Sequence, residues 1–386
     1  MAKSQSRDLI SVATLYDVAR LAGVSTATVS RVVHGQDRVR ESTRARVQQA
    51  IEELGYVPDS AAQSLSRRRK DVIGLVCIER PWKASALEDG SMLYYDKILR
   101  GVEATLREGD LSLLIKFLPE YFAPDAGRIE ALSGKVDGIL LGEAIFPLPV
   151  LERLAERTPL VVIAGPPTPN SFDTVTADNR AGSAAVTRHL IDVHGYRRLY
   201  IVDGPANSPD SYQRRLGIAQ VLRARPGCEI AGSYRGSYSA ESGVAAAEQL
   251  LAASRPALPE AIIAMNDQMA IGMLRCFARA GVKVPGDVAL TGFDDIFPAS
   301  LTDPPLTTVN QPMRMLGEHA CTRLLDRIAD PGLQPQVEVL PTDLIIRESC
   351  GCPPGTSVRQ PVPRLAQGRL PGSPGPGVRS SGQIGE

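Results

Sequence analysis

The sequence predicts a small all-α N-terminal unit followed by a larger α/β body built of two similar subdomains. Three observations carry that expectation. Residues 1–70 hold twelve Lys or Arg against seven Asp or Glu, so five positive charges are concentrated at one end of a chain whose formal net charge is zero. Apolar residues recur at helical spacing through the same stretch, whereas beyond Asp71 short apolar runs alternate with helical ones, and that alternation restarts after Asn170. With 386 residues, 43% of them apolar, there is material for more than one buried core.

The first helix follows Thr14, a suitable N-cap, in LYDVARLA, where Leu15, Val18, Ala19 and Ala22 form one apolar stripe. Gly23 supplies the left-handed residue that a tight turn needs, and Val24 can plug the angle beyond it. Ser25 caps a second helix, TATVSRVVH, with Val29, Val32 and Val33 inward and Thr26, Ala27, Ser30 and Arg31 outward. A third, from about Glu41 to Leu54, brings in Val47, Ala50, Ile51 and Leu54 to close a miniature core. Two helices joined by so short a turn have helix-turn-helix geometry, in which the second lies in the DNA major groove. There Arg31 can fork onto guanine O6 and N7, Thr26 and Ala27 can offer methyl groups to thymine, and Thr14, Thr28 and Ser30 carry hydroxyls for phosphates. A plain three-helix bundle with a solvated Arg is the competing reading.

After Pro58, DSAAQSLSRRRK can form a helix capped by Asp59 with Ala61, Ala62 and Leu65 along one face. Alone it is too short to be stable in water. Arg67, Arg68, Arg69 and Lys70 suit a sequence-blind hold on phosphates. In the body, VIGLVCI, LSLLIKFL, VDGILLG and PLVVIAG read as strands between helices in the first half, and LYIVDG, AIIAMND and VALTGFDD do so in the second. Strands alternating with helices imply parallel sheets, whose ligands bind beyond the carboxyl ends of the strands, in a cleft where two such units face each other. From Cys350 onward Pro, Gly, Ser and Arg dominate, which predicts a disordered tail over 350–386.

TLYDVARLAGVSTATVSRVVHG and TRARVQQAIEELGYVPDSAAQSL together resemble the headpiece and hinge of the lactose-repressor (LacI/GalR) family. GVEATLRE, VDGILLG, TADNRAG, RRLGI, AMNDQMAIG, VPGDVALTGFDD and DPPLTTVNQP resemble the periplasmic-binding-protein-like core of the same regulators. The resemblance implies a headpiece over 1–58, a hinge helix and linker over 59–70, and an effector-binding, dimerising body over 71–349. Its subdomains would be about 71–170 plus 302–328, and 171–298 plus 332–349. Thr26, Ala27 and Arg31 are then base readers, while Thr14, Leu15, Tyr16, Ser25, Thr28 and Ser30 hold the DNA backbone and Arg38 lies in a loop that helps clamp it. Leu65 matches a Leu that wedges between base steps in the minor groove when two subunits meet on DNA. His34 stands where the family usually has Asn, and Arg40 where Ser is more usual, so their contacts are less defined.

In the body the resemblance assigns effector contacts to Arg214, Asn266 and Asp294, with Tyr94 or Tyr95 placed to stack on a sugar's apolar face. Arg supplies a fork of donors, Asp accepts hydroxyl hydrogens and the Asn amide does both, a set suited to a polyhydroxylated ligand. The stretch between Ile78 and Ser91, which contains the chain's single Trp, Trp82, departs from the family pattern. A carbohydrate effector is therefore the first expectation and a nucleobase-like one the second. The implied function is a homodimeric repressor, with tetramers a further option, that binds a palindromic double-stranded operator and is switched by that effector.

The N-terminal residues lack the apolar core of a secretory signal and no run approaches the roughly 20 apolar residues of a membrane span, so a cytoplasmic, nucleoid-associated protein is expected. That counts against a secreted solute-binding protein. An enzyme is also disfavoured: G-x-G-x-x-G, P-loop and G-x-S-x-G motifs are missing, and His34, His189, His194 and His319 form no obvious catalytic set, so neither catalytic residues nor a cofactor are expected. Of the six cysteines only Cys350 and Cys352 are close, and with no other Cys or His beside them in sequence no metal site is expected.

Overall fold

The computed structural model describes residues 13–33, 39–56, 69–79, 91–107, 109, 111–119, 126–143, 146–169, 171–253 and 258–364, in two compact units divided at Asp71. The N-terminal unit is the expected trio of helices: α1 (Leu15–Ala22), α2 (Thr26–Val33) and α3 (Glu41–Leu54). Thr14 and Asp17 form a capping box, the Thr14 amide donating to the Asp17 carboxylate at 3.0 Å while the Thr14 hydroxyl oxygen accepts from the Asp17 amide. A bond from the Thr14 hydroxyl to the Asp17 carboxylate at 2.6 Å, with the one from the Thr14 amide, holds the Asp17 carboxyl below the usual carboxylate range. Gly23 ends α1 at φ 62°, and only a residue without Cβ adopts that conformation cheaply. Val18, Val29 and Val47, one from each helix, are completely buried at the centre, with Ala19, Ala22, Val32, Ala50 and Tyr56 around them.

The second unit holds two parallel sheets. The first runs β11-β5-β4-β3-β1-β2, from β1 (Val72–Glu79), β2 (Ser112–Pro119), β3 (Gly138–Leu141), β4 (Leu160–Ile163), β5 (Asp173–Ala177) and β11 (Val337–Leu340). β3 and β4 are buried at every residue, which is why GILL and LVVI read as unbroken apolar runs. Around this sheet lie α4 (Ser91–Leu106), α5 (Ala126–Ser133), α6 (Leu148–Ala155) and α11 (Met313–Ala329). The second sheet runs β7-β6-β8-β9, from β6 (Arg198–Asp203), β7 (Glu229–Arg235), β8 (Ala261–Ala264) and β9 (Ala289–Thr291). Its helices are α7 (Asn179–Arg188), which runs on as a π-helical segment, His189–Val193, then α8 (Pro209–Arg223), α9 (Ala240–Ala253) and α10 (Asp267–Ala280). A small antiparallel sheet, β10 (Thr308–Asn310), β12 (Asp343–Ile346) and β13 (Val358–Pro361), completes it.

The observed pairings move the expected subdomain limits. β5 and β11 pair with each other in the first sheet, not the second, and β10 pairs with β12 beside the second. The chain therefore crosses between subdomains near 178, 311 and 341. Periodicity shows that a segment is a strand, but not which of two sheets takes it. What fixes β5 is a buried charge: the Asp173 carboxylate, wholly inaccessible, accepts from Arg323 at 2.8 Å, from Arg327 and from the Gln336 amide at 2.8 Å, tying β5 to α11 and the approach to β11.

Order also continues past the expected limit at 349. Cys350 is buried, β13 pairs with β12, and Val362 is packed into the core. Composition misled because four residues, 358–361, gain their stability by pairing with a strand already in place. Residues 365–386, like the hinge positions 59–68, His34, Arg38, Leu65 and Trp82, lie outside the described residues.

Helix pairs on both sheets approach closely enough to require glycine. In α9 and α10, a Cβ added at Gly243 would stand 2.0 Å from the Met269 carbonyl oxygen, and one at Gly272 would stand 2.0 Å from that of Ala240. We expect Gly272→Ala to lower unfolding free energy by about 1–3 kcal/mol through forced separation of the two helices. An unchanged urea midpoint would show that the helices can part without cost.

Candidate functional site

The exposed face of α2 carries the residues that sequence reasoning assigned to base reading. Ala27 and Arg31 are exposed and Thr26 is half-exposed, while Val29 and Val32 on the opposite face are buried. Ser25 sets the start of that helix: its hydroxyl accepts from the Thr28 amide at 3.2 Å and lies 2.9 Å from the Thr28 hydroxyl. Thr14 does the same for α1, and Tyr16, 76% exposed, stands on the first turn. Free amides at the first turn of a helix, with hydroxyls such as those of Thr14, Tyr16, Ser25 and Thr28 beside them, are chemically suited to phosphate. Leu15 is half-buried against the helical core, so part of it is engaged in packing, and Ser30 is half-exposed on α2.

A second site lies in the body, beyond the carboxyl ends of the strands of both sheets. Its centre is Arg214 on α8, 3% exposed. The guanidinium donates through Nε to Asn179 Oδ1 at 2.8 Å and through Nη1 to the Met265 carbonyl oxygen, and Nη2 stands 3.6 Å from both Asp210 Oδ2 and Asp294 Oδ1. Phe293 covers it from one side, with 3.8 Å between the guanidinium carbon and the ring centre, and Tyr238 flanks it at 5.8 Å. Asn179 bridges the arrangement, donating from Nδ2 to Asp210 Oδ1 at 2.9 Å while accepting from Arg214. A buried guanidinium remains charged, so each neighbour offsets part of its desolvation.

The two acids feel that burial strongly. It pushes the Asp210 carboxyl up to about 7 and that of Asp294 up to about 6, with Arg214 opposing the shift in each. Asp294 sits at φ 116° and Asp295 at φ 55°, a left-handed pair that side chains rarely adopt. The surroundings enforce it. Gln311 donates to Asp294 Oδ1 at 2.5 Å, Arg347 and Asn310 donate to the Asp295 carboxylate at 2.7 and 3.1 Å, and Lys97 reaches across from α4 to the Asp295 carbonyl oxygen at 3.1 Å. Strain held in this way is characteristic of ligand clamps.

Of the residues expected to meet an effector, Arg214, Asp294 and Tyr94 are brought together. The Tyr94 hydroxyl is buried without a hydrogen-bond partner, and burial followed by the charges of Asp210, Glu143 and Asp294 drives its pKa upward. Asn266 lies in the same neighbourhood, but its side chain is engaged: Oδ1 caps α10 by accepting from the Met269 amide at 3.0 Å, and Nδ2 donates to the Tyr238 carbonyl oxygen at 2.9 Å. It positions Tyr238. Tyr95 is held by other partners. It is 2% exposed, its hydroxyl accepts from the Ile78 amide at 3.1 Å and donates to Glu143 at 3.0 Å, and its ring fills the space a Cβ at Gly142 would need. Both tyrosines lie at adjacent positions within α4, so they point in different directions.

Sequence reasoning missed Asp210, Asn179, Phe293, Tyr238 and Gln311. Asp210 stood four residues before Arg214, on the same helical face, and Asn179 lay inside TADNRAG. Both were legible as neighbours once Arg214 was chosen. It also missed that His189 and His194 pack beside Cys350 and Cys352, at separations of 158 to 163 residues.

The raised acids give a pH signature. Between about 4, the ordinary carboxyl value, and about 7 the folded chain holds protons that the unfolded chain has released, so stability falls as pH rises through that window. We expect Asp210→Asn to flatten this fall in urea midpoints taken from pH 5 to pH 8. A slope equal to that of the unaltered protein would remove Asp210 from this account.

Residues 14–59 match the model of bacterial regulatory proteins, lacI family, and residues 187–350 that of a periplasmic binding protein-like domain. The chain is 36% identical over 348 residues to the HTH-type transcriptional regulator CelR of Thermobifida fusca, covering 87% of this chain and 98% of that protein. Among solved structures it is similar to the Lac repressor dimer bound to operator and the anti-inducer ONPF, with a TM-score of 0.76, 26% identity and coverage of 88% and 99% of the two chains. It is also similar to a CelR–cellobiose complex, with a TM-score of 0.63, 34% identity and coverage of 87% and 99%.

Proposed function

We propose a ligand-switched repressor mechanism for this chain, which belongs to the lacI family of bacterial regulatory proteins and is a DNA-binding transcription regulator. A homodimer places one α2 in the major groove of each half of a palindromic operator. Arg31 forks onto a guanine, Thr26 and Ala27 meet thymine methyl groups, and Thr14, Leu15, Tyr16, Ser25, Thr28 and Ser30 hold the backbone, with His34, Arg38 and the wedge Leu65 adding contacts from segments outside the described residues. It acts in the cytoplasm and carries out no catalytic step. Among the described residues no helix is long and apolar enough to cross a membrane.

The effector is a sugar or sugar derivative, and the observation that carries this reading is the buried Arg214 cluster. A guanidinium flanked by two carboxylates offers donors and acceptors in fixed directions, while Phe293, Tyr238 and Tyr94 supply apolar faces, the combination that a ring bearing several hydroxyls requires. The cellobiose held by the CelR structure has that chemistry, which makes it the first probe. Tyr94 and Glu143 come from the first subdomain and Arg214, Asp210 and Asp294 from the second, so a ligand touching both sets favours one closure angle over others. By linkage, its effect on operator affinity equals the operator's effect on its own.

Base reading is tested separately. In a mobility-shift assay with the protein's operator, we expect Arg31→Ala to cost about 1–3 kcal/mol of specific binding and to relax discrimination at one base position per half-site. Discrimination left intact, with only sequence-independent binding weakened, would make Arg31 a phosphate contact instead.

A further inference from the structure

We propose that His189, His194, Cys350 and Cys352 form a tetrahedral binding site for a zinc-class divalent metal ion, which clips the C-terminal segment of the chain to the end of α7. The donor atoms of these four side chains all lie within 4.8 Å of one another. The two imidazole Nε2 atoms are 3.2 Å apart. His189 Nε2 lies 3.4 Å from Cys350 Sγ and 3.7 Å from Cys352 Sγ, and His194 Nε2 lies 3.5 Å from Cys352 Sγ. Metal–nitrogen bonds of about 2.0–2.1 Å and metal–sulfur bonds of about 2.3 Å, set at tetrahedral angles, put ligand atoms roughly 3.3–3.8 Å apart. Four of the six donor spacings, 3.2 to 3.7 Å, are close to the edges of such a tetrahedron, and the other two lie within 4.8 Å, so a small inward movement of the donors would complete it.

Hydrogen bonding cannot account for the convergence. One imidazole nitrogen carries a single proton or a single in-plane lone pair, yet His189 Nε2 faces three polar atoms at once. A cation at the centre satisfies all four groups together. Two thiolates balance a divalent charge, and two sulfurs with two imidazoles are the set that selects zinc over harder oxygen-seeking ions. Four protein ligands leave no open position, so the site is structural.

The backbone is shaped for this geometry. Five positions along an α-helix are about 140° apart around its axis, which would turn His194 away from His189. The π-helical segment His189–Val193 widens the turn at that point and brings the rings edge to face, 4.9 Å between centres. On the other side Gly351 separates the cysteines at φ 107°, where a Cβ would meet the Tyr196 hydroxyl at 2.8 Å and His194 Nδ1 at 3.3 Å. Tyr196 stacks on His194 with ring centres 5.5 Å apart and donates to the Cys350 carbonyl oxygen at 3.2 Å, holding both halves of the cluster in register. The clip joins positions more than 150 residues apart and lies six residues before β13, whose pairing with β12 follows it. It lies about 15 Å along α7 from Asn179 and is separate from the Arg214 cluster.

Metal analysis of the untagged full chain, purified under reducing conditions without chelator, tests this directly. We expect about one zinc per chain, and after its removal cobalt(II) should give the visible bands of a tetrahedral site with a thiolate charge-transfer band. Cys352→Ser and His194→Gln, at half-buried positions, should each weaken metal binding at least tenfold, while Cys228→Ser, outside the cluster, leaves it unchanged. Far-ultraviolet circular dichroism and operator binding report whether each variant folds. The proposal is overturned if the reduced, folded chain neither retains zinc nor takes up cobalt, or if the cobalt spectrum survives with Cys352→Ser and His194→Gln combined.

Discussion

A guanidinium cannot be buried alone. That constraint organises the body of this protein, because Arg214 is removed from water and must find its compensation in protein groups. Asn179 reaches it from the start of α7, Asp210 from the turn before it on α8, the Met265 carbonyl from the end of β8, and Asp294 from the turn after β9. Each of these comes from the carboxyl end of a strand or the helix that follows one. A parallel sheet delivers its loops to one edge, and Arg214 gives those loops a common point to close around. The backbone at Asp294 and Asp295 is bent into the left-handed region at the same place, held by Gln311, Asn310 and Arg347. The acids outnumber what one guanidinium can neutralise, so the cluster is left with unmet acceptor capacity.

The N-terminal unit follows a different logic. Its core is four valines, three alanines and Tyr56, too small to bury much surface, so local signals contribute a large share of its definition. A capping box at Thr14, a serine cap at Ser25 and a left-handed glycine at each of two helix ends fix where the helices start and stop. With those ends fixed, the phase of α2 follows, and Arg31 and Ala27 face outward because Val29 and Val32 must face inward. The exposure of the proposed base readers is here a by-product of packing.

These two logics explain which features were legible in the sequence. The headpiece helices could be read almost residue by residue, because caps, turn glycine and apolar stripe are all local. So could the buried strands β3, β4 and β8, whose apolar runs have no other use. β5 was hidden because DTVTA buries polar side chains, and β7 because it is an edge strand with mostly exposed residues. Arg214 and Asp294 were singled out through family resemblance and the fold brings them together, but what the side chains of Asn266 and Tyr95 bond to depended on directions that only the fold sets. The pairing of His189 and His194 with Cys350 and Cys352 was beyond reach, since a π-helical turn and a long-range contact both had to be known.

Whether a ligand at the Arg214 cluster acts on DNA binding is read most directly from operator affinity. Operator affinity should therefore be measured with and without a saturating sugar identified by thermal shift, in the unaltered protein and in Arg214→Met. The sugar should change operator affinity at least about fivefold in the unaltered protein and have no effect on the variant, which still binds operator. An equal shift in both proteins would put the effector site away from Arg214.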